Sequence, residues 1–376
     1  MKTEKYSWEH PYKGRESIST AVMPPIAGAT PNVSLAAFTA LDSATSSASR
    51  FDEYAHAKLG ADALGLMATV EAIGSSRIEN IHATVEELLV ARATRKFTDA
   101  TLLVHQNRTL TEMAFWTRDD ITFETFRTFH SALMDGVDPR AGFVRESVSW
   151  IGGGWSGPRA AVFVPPKPER VPDALEDLVA FTGRYDIPPL LHVALAHAQY
   201  EAIHPFSDGN GRTGRALVHA MLASAGVSQR TVLPISPFID TMKRSYYDAL
   251  MAFRDGEVEP IVQVFSTAVS RASQWGCQVV DELAAVHDRM RSVNMSRADS
   301  AATRLIDALF TIPATTVLTA STVLGVPATS SRAAIETLEG LGLLTEVTGK
   351  KRGRVWVARD ISDALTLGLR TDGFSR

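Results

Sequence analysis

Twelve consecutive residues, His204-Pro205-Phe206-Ser207-Asp208-Gly209-Asn210-Gly211-Arg212-Thr213-Gly214-Arg215, constrain this chain more than any other feature. They lie between two apolar runs of helical spacing. Leu190 to Ile203 is rich in Leu, Val and Ala behind Pro188 and Pro189, which suit a helix start, so His204 falls at that helix's end. Pro205 biases His204 out of the helical region and turns the chain. Apolar positions resume at Ala216, Leu217, Ala220, Met221 and Leu222, and Gly226 offers a stop, so a second helix begins near Asn210 or Gly211. The fold must bring a helix end, a tight loop and a helix start to one place.

That junction has a chemistry. An imidazole there titrates in the range suited to taking a proton from a hydroxyl. The first turn of the second helix carries unpaired N–H groups and the positive end of a dipole, and Gly209 and Gly211 let a phosphate approach the backbone. Arg212 and Arg215, three apart, stand on neighbouring faces of that turn and can fork onto phosphate oxygens. Asp208 supplies a hard carboxylate where a phosphate-bound Mg²⁺ would want one. A plain polar helix-loop-helix does not need all of these residue types at one terminus, so the stretch predicts transfer of a phosphorylated group.

At these residues the chain resembles the Fic family, whose signature H-P-F-x-D/E-G-N-G-R-x-x-R is met at every fixed position. The resemblance implies transfer of a nucleotide monophosphate, usually AMP from ATP, to a Ser, Thr or Tyr hydroxyl of a target protein or of the chain itself. It implies His204 as general base and Asp208 as the Mg²⁺ ligand. It also implies a nucleotide-binding set of Asp208, Gly209, Asn210, Gly211, Arg212, Thr213, Gly214 and Arg215, with the two arginines neutralising the leaving pyrophosphate. Upstream, Ser75-Ser76-Arg77-Ile78-Glu79-Asn80 fits S/T-x-x-x-E-G/N, which in Fic proteins belongs to an autoinhibitory helix. Together with Ala21 to Ile26 and Ile81 to Leu89, it resembles the amino-terminal domain that accompanies this family. Ser75, Glu79 and Asn80 are then inhibitory residues, and a Glu79 carboxylate reaching Arg215 would occupy the place of the γ-phosphate.

Two further segments extend the resemblance. Val148 to Ile151 and Ala161 to Val164, separated by Gly152, Gly153, Gly154, Gly157 and Pro158, read as a hairpin. It resembles the family's flap, which places Ala161, Val162 and Phe163 at the nucleotide and can pair with an extended stretch of target. Tyr246-Tyr247 resembles the segment that lines the base and ribose; adjacent tyrosines on a helix point different ways, so at most one stacks squarely on a base. Where relatives often place Asn seven residues after the second tyrosine, this chain has Arg254. That departure bears on nucleotide selectivity.

Other features narrow the classes. His192, His197 and His219 lie on apolar helices without carboxylate or cysteine partners at metal spacing and read as packing histidines. Neither H-E-x-x-H nor G-x-x-x-x-G-K-S/T occurs, which removes the commonest zinc-protease and P-loop readings. Cys277 is solitary, as suits a reducing cytoplasm. A net charge of −4 argues against a generally basic protein that coats nucleic acid. The polar stretch Met1 to Tyr12 and the want of any long apolar run predict a cytoplasmic location with no membrane contact.

With 376 residues, 45% of them hydrophobic, there is core for two or three domains. The expected fold is mainly α: a Fic helical core with a short β-hairpin flap, plus a C-terminal winged helix-turn-helix domain. The expected divisions are 1–115 for an N-terminal helical domain with the inhibitory helix, 116–275 for the catalytic core, 276–300 for a connecting helix and linker, and 301–376 for the winged helix-turn-helix. In the last, helices over Thr303 to Phe310, Thr319 to Leu324 and Ser330 to Leu341 precede strands at Leu343 to Val347 and Arg354 to Ala358. Lys350, Lys351, Arg352 and Arg354 form the expected wing tip, where a phosphate backbone could be met. Arg332 is the only base of the third helix, against Glu336 and Glu339, so DNA contact and protein docking both stay open.

Expected partners are ATP, with Mg²⁺ as cofactor, and a target protein with an acceptor hydroxyl; a homodimer stays open. Two rival functions use the same residues: a DNA-binding regulator whose Fic core senses nucleotide, and a hydrolase that removes AMP. The intact His204 and Asp208 favour the transferase over the sensor, because a sensor has no need of a base beside the phosphates.

Overall fold

The computed structural model describes residues 1–10, 14–117, 120–152, 157–294, 299–367 and 369. The chain opens with β1 (Lys2–His10) and β2 (Gly14–Val22), an antiparallel hairpin in which Tyr6 faces Ile18. Helices follow: α1 (Leu35–Leu59), α2 (Asp62–Ile78), α3 (Val85–Thr94), α4 (Asp99–Trp116), α5 (Phe123–Met134) and α6 (Val171–Thr182). Next come α7 (Pro189–Ile203), α8 (Asn210–Ser224), α9 (Ser236–Thr241), α10 (Lys243–Arg254) and the long α11 (Glu259–Val293). The remainder is α12 (Ala301–Ala308), β3 (Ala314–Thr315), α13 (Val317–Leu324), α14 (Ala328–Gly340), β4 (Thr345–Glu346), β5 (Trp356–Val357) and α15 (Arg359–Leu367).

The chain is mainly helical, as its periodicity predicts. The β1–β2 hairpin lies where the sequence reading places only a polar amino-terminal stretch. In β2 exposed Ser17 and Ser19 alternate with buried Ile18 and Thr20, a period of two. The apolar member of that alternation is filled once by a threonine, which hides it from a hydrophobicity count.

The described residues divide into two compact units, the first comprising Met1–Ser46, Met113–Val227 and Met242–Ser270, the second Ser47–Glu112, Ser228–Thr241 and Arg271–Arg376. In the first, α7 is buried from Leu190 through Ile203, its His192, His197, Gln199 and Glu201 included, and α6 and α8 pack on it while α5 packs on α8. In the second, α2 is buried along most of its length. A Cβ at Gly74 would stand 2.5 Å from Pro237 Cδ, so only glycine lets α2 and α9 come this close. Glu71 on α2 accepts the Ser236 N–H at 2.8 Å, tying the start of α9 to the same helix.

Also in the second unit, α12, α13 and α14 pack on one another beside a three-stranded antiparallel sheet of order β3-β5-β4. Ser300 and Thr316 accept from the amides of Thr303 and Thr319 and so cap α12 and α13. Gly325 ends α13 in the left-handed region at φ 63°, the position foreseen for the tight turn. The strands are shorter than their apolar runs, and β3 and α15 had no distinct signal. The second unit's α3 lies against β3 and β5, so this sheet shares its packing with a helix from the amino-terminal half of the chain. No helix among the described residues is long and apolar enough to cross a membrane.

Candidate active site

The junction of α7 and α8 forms where the sequence places it. His204 follows α7 in the left-handed region, φ 51° and ψ 62°, with its N–H donating to Tyr200 O at 2.9 Å. A non-glycine residue adopts that conformation only when its surroundings hold it there. Arg145 does so: its Nε donates to His204 O at 2.8 Å, Nη1 to Ser147 O at 3.0 Å, and Nη2 to Pro166 O at 2.5 Å and Ile203 O at 3.4 Å. The Arg145 N–H adds a bond to Pro205 O at 2.9 Å. One buried guanidinium thus satisfies carbonyls from three stretches of chain around the histidine. Sequence reasoning missed it, since a single arginine in Gly142-Phe143-Val144-Arg145 carries no motif of its own.

The loop is clasped from within. Asn210 Oδ1 accepts the Phe206 N–H at 2.9 Å and its Nδ2 donates to Phe206 O at 2.9 Å. The Phe206 ring stacks on His130 with centroids 3.9 Å apart and planes 3° from parallel. His130 Nδ1 accepts from the Gly142 N–H at 2.8 Å, so the proton sits on Nε2, 3.1 Å from Asp208 O. Burial lowers the pKa of His130 and keeps it neutral in that role. Gly209, at φ 73°, has Leu133 Cδ2 and Met134 Sδ at 3.1 and 3.2 Å from where a Cβ would stand. Both its backbone and its packing require glycine. His130 was also missed; it is one histidine on an ordinary amphipathic helix.

Asp208 is exposed, and its Oδ1 accepts the Gly209 N–H at 2.6 Å. No side chain at Gly209 caps α8. Arg212 and Arg215 are both 3% exposed, and Arg212 Nη2 lies 3.8 Å from Met134 Sδ. Thr213 and Gly214, expected with the nucleotide-binding set, instead face α7. Thr213 is fully buried. Gly214 O lies 3.0 Å from His197 Nδ1, and a Cβ at Gly214 would meet Glu201 Oε1 at 2.5 Å. His197 and His192, which touches Phe181 O at 2.7 Å, are the packing histidines the sequence predicts.

The electrostatics of His204 keep its imidazole unprotonated. Although the residue keeps part of its surface open, its surroundings hold its pKa down to about 3, through desolvation first and the guanidiniums of Arg145 and Arg254 next. The Glu201 carbonyl and the Asp208 carboxylate oppose that shift. The imidazole is therefore neutral across the ordinary pH range. Arg254 lies with Cζ 3.6 Å from the centroid of the Phe163 ring and donates to Met251 Sδ at 3.0 Å. Burial pulls its pKa to about 10, with Glu201 the main opposing charge.

The expected flap hairpin reduces to one antiparallel bridge between Ile151 and Phe163, in which the Ile151 N–H donates to Phe163 O and the Val162 N–H to Ile151 O, both at 2.8 Å. Gly153 and Gly154 lie outside the described residues. Ala161 is half-buried, Val162 is 66% exposed and Phe163 is buried under Arg254. The two tyrosines separate cleanly. Tyr246 is 1% exposed with its hydroxyl 2.8 Å from His197 Nε2, whereas Tyr247 is 42% exposed. In the second unit, Ser75 is buried in α2, Glu79 is the exposed residue that ends it, and Asn80 follows in the left-handed region at φ 58°.

Among the described residues no group of three or more His, Cys, Asp or Glu is placed to hold a metal ion. The loop fits Mg²⁺ in another way: one exposed carboxylate, Asp208, beside a helix start that suits phosphates, the donor set with which Mg²⁺ binds through its substrate.

Residues 120–222, which contain α5 to α8 and the whole loop, match the Fic/DOC family model. A protein adenylyltransferase Fic from Aedes aegypti is 29% identical over 189 residues, covering 49% of this chain and 32% of the relative. Protein adenylyltransferase fic-1 from Caenorhabditis elegans is 28% identical over 149 residues, covering 39% and 26%. The chain thus spans about a third or less of these curated relatives' length. A Fic family protein from Desulfovibrio desulfuricans shares the fold over 90% of this chain and 98% of its own, with a TM-score of 0.56 at 20% identity. A segment of Fic-1 from Caenorhabditis elegans does so over 65% and 73%, with a TM-score of 0.52 at 17% identity. Over residues 120–222, then, this chain is similar to the Fic/DOC family.

Proposed function

We propose that this protein is a Mg²⁺-dependent protein adenylyltransferase that moves AMP from ATP to a Ser, Thr or Tyr hydroxyl. One observation carries the reading: an imidazole kept neutral at the end of α7 stands on the same loop as the uncapped, glycine-flanked start of α8 and its two arginines. The names of the relatives, protein adenylyltransferases, support it.

The chemistry follows from the geometry. Neutral His204 accepts the proton of the target hydroxyl as that oxygen bonds to the α-phosphorus of ATP. The bond from phosphorus to the bridging oxygen breaks, and pyrophosphate leaves with the electron pair. The amides at the start of α8, with Arg212 and Arg215, take up the charge, which is most of what phosphoryl-type transfer asks of a protein. Asn210 acts by holding the loop, and Arg145 and His130 by fixing the turn on either side of it. Asp208 would hold Mg²⁺, which when bound supplies positive charge to the phosphates. Tyr247, exposed beside buried Tyr246, is the tyrosine open to a base, and Arg254 under Phe163 bears on nucleotide selectivity. Val162, Ala161 and the bridge at Ile151 form the edge for the target.

Glu79 serves in this reading as the brake, as the likeness of Ser75 to Asn80 to the family's inhibitory motif implies. Residues 301–376 are read as a winged helix-turn-helix with the turn between β4 and β5 as its wing. The test is incubation with Mg²⁺ and ATP labelled on the α- or the γ-phosphate. Covalent α-label without γ-label is expected, falling about 10²–10⁴-fold in His204→Ala, the usual scale for a lost general base. Glu79→Gly should raise it about tenfold, a typical coupling energy. A Glu79→Gly chain that puts no α-label on itself or on lysate protein overturns the reading.

A further inference from the structure

The second unit holds a cleft of about 880 Å³ that lies apart in sequence from every residue of the proposed reaction. Eight Lys and Arg side chains line it and no Asp or Glu. For a chain of net charge −4, this is a strong local excess. One wall comes from the end of α3: Arg92, then Arg95 and Lys96 just beyond, with Arg95 in the left-handed region at φ 55°. The other comes from the turn between β4 and β5, where Lys350, Lys351 and Arg352 stand exposed between Gly349 and Gly353, both at positive φ. Arg332, exposed on α14, completes it.

Of the acids that weaken a sequence-based reading of α14, one pairs with a lining arginine and the other lies off the cleft. Glu339 is held by Arg354 at 3.3 Å, and Glu336 is not among the lining residues. Glu346 turns its carboxylate onto the amides of Thr348 and Gly349. Burial first, and the Arg108 guanidinium next, pull the pKa of Arg92 down to about 10.

We infer that this cleft binds the phosphate backbone of a nucleic-acid duplex, with α3 and the β4–β5 turn gripping it together. A row of repeated anionic charges is what a string of separate long basic side chains on two walls matches, since each can meet one phosphate. A single carboxylate or an isolated phosphate would leave most of them unmatched. The charge is arranged to hold a backbone; α14 offers one base for reading sequence, so binding is largely sequence-independent.

The full chain should therefore bind a fluorescein-labelled duplex DNA of about 20 base pairs and mixed sequence, followed by anisotropy, with a Kd of roughly 10⁻⁴–10⁻⁶ M at physiological salt that tightens at lower salt. Replacing Lys350, Lys351 and Arg352 by Gln should reduce the slope of log affinity against log salt by about 2.7, roughly 0.9 per lost contact. Arg95→Gln with Lys96→Gln should reduce it by about 1.8 on the same basis. All five positions are exposed, so the far-UV helical signal is expected unchanged, and self-labelling with ATP should persist. No duplex binding at 50 mM salt, about the low end at which such contacts are strongest, overturns the inference. So does an unaltered slope in the α3 double variant, which would remove that wall, or polyglutamate displacing the duplex at equal charge concentration, which would point to an acidic protein partner.

Discussion

The loop between α7 and α8 and the cleft between α3 and the β4–β5 turn both gather positive groups for phosphates, yet they are built in opposite ways. In the first, twelve consecutive residues supply nearly all the chemistry, and each is locked: Asn210 bonded on both sides to Phe206, Phe206 stacked on His130, Gly214 pressed against Glu201. In the second, the charges come from segments more than 200 residues apart, and all but Arg92 and Arg354 are exposed. Preorganised groups suit a reaction, where donors must already point at developing charge. Loose ones suit a backbone that presents the same charge at every step.

Acid separates the two regions most. His204 and His197 are each held down to about 3 in the folded chain, through burial, while unfolded histidine titrates near 6.5. Below that value the unfolded chain binds protons that the folded chain refuses, so stability is complete above about pH 6.5 and falls as pH drops toward 3. The slope is about 1.4 kcal/mol per pH unit for each such histidine. Urea unfolding followed between pH 7 and 4.5 should show that fall, and it should be shallower in His197→Gln. The labelling rate, while the chain stays folded, should lack the acid limb near pH 6.5 that an ordinary histidine base gives. Duplex binding at the cleft, which rests on Lys and Arg, should be flat over the same range in folded protein.

Packing gives the next contrast. Gly214→Ala places a methyl 2.5 Å from Glu201 Oε1 and 2.9 Å from Tyr200 Cδ1, both on buried α7. It should lower stability by about 1–3 kcal/mol, the usual cost of overpacking, and depress labelling with it. Lys351→Gln should change stability by less than about 0.5 kcal/mol, as exposed substitutions do. Equal losses in thermal unfolding would erase the distinction between a locked and a loose site.

These differences explain what could be read in advance. The α7–α8 junction was legible because a contiguous motif states both residue type and spacing. Arg145 and His130 were not, since each acts through carbonyls and a ring that only the fold brings near. Thr213 and Gly214 fell inside the motif, and the sequence cannot say that their sides of the helix face α7. The cleft was half visible: Lys350 to Arg354 announced themselves as a basic run, whereas Arg92, Arg95 and Lys96 carry no motif of their own. Counting bases on α14 alone therefore undervalued the charge that assembles there.

The two adjacent tyrosines of α10 allow the smallest test within the first unit. Tyr246 is buried against His197 Nε2, and Tyr247 stands open next to it with ring centroids 5.4 Å apart. Tyr246→Phe removes one hydrogen bond from a buried imidazole and should lower stability by about 1 kcal/mol without altering ATP affinity. Tyr247→Ala should leave stability nearly unchanged and weaken ATP binding by about 1 kcal/mol, the low end of base–aromatic stacking. Calorimetric titration with ATP and thermal unfolding of both variants separate the two effects. If Tyr246→Phe loses ATP affinity while Tyr247→Ala does not, the exposed ring is not the base platform, and the nucleotide must lie deeper, toward His197 and α7.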